Sequence, residues 1–60
     1  MLTCAMLLQI LEGAEARRDD ATLPADVRQR SDETVRTCNQ RMAMEGLTRA
    51  ALTERALAEA

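Results

Sequence analysis

The chain has 60 residues, which allows one domain at most, and a domain of this size buries only about 60% of the surface of its unfolded chain. A formal net charge of −2 gives no overall positive field toward nucleic acid, and the absence of Phe, Trp and Tyr disfavours recognition of single strands by stacking. Eleven residues are Ala and only eleven are Leu, Ile or Val. We therefore expect one small domain over residues 1–60 that gains stability by binding itself, as a homodimer, or a larger protein.

The N-terminal segment carries an apolar stripe at helical spacing. Because further apolar residues widen this stripe, the predicted helix must be covered on several sides. We predict that it supplies the face through which the chain interacts: Leu2, Met6, Leu7, Ile10 and Leu11. The apolar run is shorter than the about 20 residues that span a bilayer, and no basic residue precedes it as in a secretory signal. The expectation is a cytoplasmic chain with no membrane partner.

The first helix is predicted to end between Gly13 and Arg18. The polar run 17–20 indicates a solvated connection, because two acidic residues are unfavourable at the negative end of a helix. Thr22 is the predicted N-cap of the second helix, since Pro24 would then fall in the first turn, where its missing N–H leaves nothing unpaired.

A second helix is predicted from about Leu23 to Glu45, where no residue interrupts the pattern and acidic residues precede Arg at four-residue spacing. Its expected buried stripe is Val27, Ser31, Thr34 or Val35, Cys38 and Met42. Gly46 is expected to end this helix, and Thr48 to cap a last helix that carries Leu52, Ala56 and Leu57. The predicted fold is all-α, with two or three short helices in a helical hairpin or small bundle that dimerises.

The combinations of residues that catalytic and metal sites require are incomplete in this chain. Cys4 and Cys38 are the only cysteines, and without His they lack the most common base for a nucleophile and the spacing of a metal site. Adjacent carboxylates diverge instead of flanking a substrate, and no glycine-rich phosphate loop occurs. We expect no catalytic residue, no metal, no cofactor and no small-molecule substrate. The cysteines are expected to be buried as free thiols; a disulfide between them is the alternative, and it requires an oxidising compartment.

The stretch 46–57, GLTRAALTERAL, resembles the second helix of ribbon-helix-helix repressors and antitoxins, in which a Gly, a Ser or Thr and then Ala-Leu spacing recur. Upstream, 27–33 is similar to the strand and first-helix start of antitoxins in this family. The resemblance implies an intertwined dimer with one short strand near 21–31 in the major groove of duplex DNA. Arg28 and Arg30 would then face bases, and the backbone around Leu47 and Thr48 would hold a phosphate.

Two hypotheses about function follow from these patterns. The first is a non-catalytic protein-interaction or oligomerisation module whose first helix is the binding surface and whose Arg-rich second helix is solvated. The second is a dimeric DNA-binding antitoxin or transcriptional repressor. A third interpretation is a fragment or a spuriously translated reading frame, because an Arg- and Ala-rich composition without Lys is also typical of GC-rich DNA.

Overall fold

The computed structural model describes residues 2–59, and within them it contains three helices: α1 (Cys4–Asp19), α2 (Ala25–Met44) and α3 (Arg49–Ala58). Residues 2–59 contain no strand. The predicted all-α fold is therefore confirmed, in its three-helix form. Of the domain predicted over 1–60, Met1 and Ala60 lie outside the described residues.

Helix α1 is the central element, and both α2 and α3 pack against it. One hydrophobic core joins the three helices, and Leu11 of α1 and Leu52 of α3 are fully buried in it. The buried members of this core are Leu7, Leu11, Ala14, Val35, Cys38, Met42, Leu47 and Leu52. Because a fully buried Leu contributes about 1.5 to 3 kcal/mol, the stability of the domain depends on few side chains.

Helix α1 begins at a Thr cap and ends later than predicted. The Thr3 Oγ1 accepts a hydrogen bond from the Met6 N–H at 3.1 Å. The prediction that the helix ends between Gly13 and Arg18 was wrong, because it continues to Asp19. Arg18 Nε lies 3.0 Å from the Asp19 carboxylate, which offsets the unfavourable acidic charge at this end of the helix.

The start of α2 corrects two predictions. Thr22 does not cap it: its hydroxyl donates to Asp20 Oδ1 at 2.6 Å, and the N-cap position is Pro24. Residues 21–24 form a turn and a bend, and 25–31 are helical, so the short strand near 21–31 is absent. The physical reason is that Pro24 lacks the N–H that a paired strand requires, whereas a helix from Ala25 buries Ser31 and the apolar residues after it along one side. The ribbon-helix-helix alternative for the fold is therefore not favoured.

The predicted buried stripe of α2 is confirmed. Ser31, Val35, Cys38 and Met42 are buried, and Val27 is partly buried. The one polar member is satisfied, since the Ser31 hydroxyl donates to the Val27 carbonyl at 2.9 Å and accepts from Arg17 Nε at 3.4 Å. This second contact ties the last turn of α1 to α2.

Gly46 and Thr48 act as predicted. Gly46 has a φ of +69°; its N–H donates to the Ala43 carbonyl at 3.1 Å, and the Leu47 N–H donates to the Met42 carbonyl at 2.8 Å. These two bonds are those of a Schellman motif. Thr48 Oγ1 accepts from Ala51 N–H at 3.1 Å and so caps α3.

Candidate functional site

The predicted interaction face of α1 divides into an inner and an outer part. Leu7 and Leu11 belong to the core, whereas Leu2, Met6 and Ile10 are 36%, 46% and 39% exposed. The three exposed residues are four positions apart, so they follow one side of α1 from just before its first residue. We call Leu2, Met6 and Ile10 the α1 stripe.

A groove of about 500 Å³ lies between the α1 stripe and α2. The buried side chains of Leu7 and Cys38 form its floor, and Leu2 and Ile10 line its α1 side. Its α2 side is lined by Arg30, Glu33, Thr34, Thr37 and Arg41. This α1–α2 groove therefore joins an apolar rim to a polar rim of mixed charge.

The charges on the α2 rim are only partly neutralised. Arg41 Nε lies 3.6 Å from Glu45 Oε1, a distance at the loose end for an ion pair. Among residues 2–59, neither Arg30 nor Glu33 forms an ion pair. One cation and one anion on this rim are thus available to groups outside the chain.

A second groove, of about 570 Å³, separates α1 from α3. It is lined mainly by small or apolar side chains, among them Leu8, Ala56 and Leu57. Leu57, which the last helix carries as predicted, is 72% exposed. Leu57 thus borders this groove and is not part of the hydrophobic core.

The residues of the DNA-binding hypothesis do not form one surface. Arg28 and Arg30 are two positions apart on a helix, so their side chains leave it about 160° apart. Arg28 Nε donates to the Leu23 carbonyl at 3.1 Å, whereas Arg30 lines the α1–α2 groove. Leu47 is buried in the core, and the Thr48 hydroxyl is occupied by its own helix cap.

The cysteines are free thiols, with Cys38 buried and Cys4 partly buried. Burial raises the pKa of the Cys38 thiol, which keeps it protonated and weakly nucleophilic at neutral pH. Within residues 2–59, no three Cys, Asp or Glu side chains are grouped as metal ligands would be. Across the same residues, no helix has both the length and the apolar character that crossing a bilayer requires.

Sequence reasoning missed the α2 rim, because the Arg-rich side of the second helix had been assigned to a solvated face. A signal was present: Arg30, Glu33, Thr37 and Arg41 recur at three- and four-residue steps beside the predicted buried stripe. Helical spacing places such residues along one edge of the core. What the spacing could not indicate was that α1 would leave an open groove there.

Known proteins give no assignment for this arrangement. No protein-family model, no curated protein and no solved structure matches the chain.

Proposed function

We propose that the protein is a non-catalytic interaction module that binds another protein chain through the α1 stripe and the α1–α2 groove. The observation that carries this proposal is the alignment of Leu2, Met6 and Ile10, each more than a third exposed, beside an open groove. Single exposed apolar residues are ordinary on protein surfaces, whereas a continuous apolar strip marks an interaction site.

The amount of exposed apolar surface is meaningful for a domain of this size. Full burial of a large apolar side chain contributes about 1.5 to 3 kcal/mol, so covering the exposed fractions of the three stripe residues is worth roughly 2 to 3 kcal/mol. The core of a 60-residue domain rarely supplies more than about 3 to 5 kcal/mol of stability. A partner on the stripe would therefore add substantially to the stability of the fold.

We place the module in the cytoplasm. Both cysteines are free thiols, and thiols persist in reducing compartments.

A photo-crosslinking amino acid at Met6 tests the proposal in the cell that makes the protein. The matched control places the same group at Glu54, which is exposed on α3. We expect a discrete crosslinked species from Met6 and none from Glu54, and we expect it to disappear in the Leu2→Ser/Ile10→Ser variant. The purified partner should then bind the wild-type chain and not that variant.

Because Leu2 and Ile10 are surface residues, the double variant should keep the helical circular dichroism of the wild type. Equal crosslinking from Met6 and Glu54, or crosslinking that survives in the folded double variant, would show that the stripe is not the binding surface.

A further inference from the structure

We infer that the partner is a second copy of this chain, with its α2 lying antiparallel to α2 of the first copy across the α1–α2 groove and the two-fold axis beside Thr37. The inference rests on the proposed function, since it names the occupant of the same surface. It is carried by the charge pattern of the α2 rim and by the surface area of the chain.

The charges of the α2 rim are self-complementary about Thr37. Glu33 and Arg41 lie four residues before and four residues after it, about 6 Å along the helix axis in each direction. A two-fold axis at Thr37 reverses the helix and places Glu33 of each copy opposite Arg41 of the other. One symmetry relation therefore forms two ion pairs, as an isologous interface requires.

The ion pairs within one chain leave Glu33 and Arg41 available for pairing with a second copy. Glu33 has no ionic partner among the described residues. Arg41 is held only by Glu45, at 3.6 Å. A carboxylate from a second copy can approach Arg41 without displacing a buried contact, because Arg41 is exposed.

The same axis also covers Met44, the exposed large apolar side chain of α2. Met44 is 81% exposed and lies seven residues after Thr37, and Arg30 lies seven residues before it. The two are therefore opposite each other in the pair of copies. The methylene stem of an Arg covers apolar surface while its guanidinium stays in water, so this contact suits both side chains.

The accessible surface area of the chain also supports a second copy as the partner. The chain exposes 4367 Å², whereas a folded monomer of 6.6 kDa exposes about 3,900 Å² on average. The excess is roughly 450 Å², which is more than half of the about 800 Å² that each partner buries in a standard interface.

Charge reversal of the two rim residues tests the arrangement, with sedimentation velocity as the measurement. The wild-type chain should dimerise reversibly. Glu33→Arg and Arg41→Glu each replace two attractive pairs by two repulsive ones, so each should raise the dimer dissociation constant about tenfold. The double variant should dimerise like the wild type. An equal mixture of the two single variants should form a heterodimer more readily than either variant pairs with itself.

The controls are Glu54→Arg and Arg55→Glu, which make the same charge changes on the exposed side of α3 and should leave dimerisation unchanged. A cysteine crosslink provides a second measurement that does not depend on the folding of the charge variants. Thr37→Cys should form a symmetric disulfide dimer under mild oxidation, because the two side chains meet at the axis. Thr53→Cys, exposed on α3, and the wild-type chain should not.

A wild-type chain that stays monomeric while folded, or single variants that dimerise as well as the wild type, would overturn the second-copy inference. Failure of Thr37→Cys to crosslink above the Thr53→Cys control would do the same. If crosslinking from Met6 then joins the chain to a different protein, the proposed function stands and only the identity of the partner changes. If Met6 crosslinks to nothing, both fall.

Discussion

The carboxylate of Glu59 accepts a hydrogen bond from the backbone N–H of Ala5 at 2.8 Å, and its other oxygen accepts one from Cys4 at 3.1 Å. Both N–H groups lie in the first turn of α1, where no helical partner exists for them. The negative charge also favours the positive end of the helix dipole. The end of α3 is thereby joined to the start of α1, and these backbone bonds lower the pKa of the Glu59 carboxyl.

This contact predicts an acid-dependent loss of stability. The folded pKa of Glu59 lies below the ordinary value of 4.5, so its contribution is present above that pH and is lost as pH falls through the folded pKa. Glu59→Gln should be less stable than the wild type at neutral pH, and the difference should shrink in acid. Thermal melts from about pH 7 to pH 3 measure this. Glu54→Gln, at an exposed position of the same chain segment, is the control. A stability difference between the wild type and Glu59→Gln that does not change with pH would contradict a role for the Glu59 charge.

The Glu15–Arg49 pair should couple α1 to α3 weakly and in a salt-dependent way. Arg49 donates from both terminal nitrogens to the two Glu15 oxygens at 2.8 and 3.1 Å, and this bond lowers the pKa of Glu15. Because both side chains are partly exposed, a double-mutant cycle with Glu15→Gln and Arg49→Gln should give a coupling energy of about 0.5 to 1 kcal/mol at low salt. High salt should reduce it. A coupling energy of zero at low salt would show that the pair is not formed in solution.

Two leucines of α3 should differ sharply in their effect on unfolding. Leu52 is fully buried and Leu57 is 72% exposed. Leu52→Ala should cost about 2 to 5 kcal/mol, which is comparable with the whole stability of so small a domain, whereas Leu57→Ala should change it by less than about 0.5 kcal/mol. Urea unfolding followed by circular dichroism, at one fixed chain concentration, compares them. Similar losses for both variants would mean that α3 packs differently from the structure.

The two glycines should respond to Ala with opposite signs. A Cβ at Gly46 meets no atom within 4 Å, but its φ of +69° is unfavourable for other residues, so Gly46→Ala should destabilise by about 1 kcal/mol. Gly13 lies inside α1, where a Cβ would come 3.4 Å from the flexible end of Arg17. Gly13→Ala should stabilise by about 0.5 to 1 kcal/mol. Thermal melts of both variants test the pair, and destabilisation by Gly13→Ala would indicate that Arg17 cannot move aside.

Features that depend on neighbours in the chain could be predicted from the sequence. Thr48 caps α3 and Gly46 ends α2 as expected, because both effects arise within about five residues. The buried stripe of α2 was also predictable, since a helix with a single apolar side has one way to face a core. The longer course of α1 was not, because its last turn is stabilised by the contact between Arg17 and Ser31, which lie 14 residues apart.

On the apolar face of the first helix, the sequence determines which residues are grouped, and the tertiary structure determines which of them are buried. Helical spacing alone determined that Leu2, Met6, Leu7, Ile10 and Leu11 would cluster on α1. Only the docking of α2 and α3 decided that Leu7 and Leu11 enter the core while the other three border a groove. The contact of Glu59 with α1 also had no local signal in the sequence. Its partners Ala5 and Cys4 precede Glu59 by 54 and 55 positions. Periodicity indicates which side of a helix is apolar. How much of that side remains exposed to solvent depends on where the other helices pack.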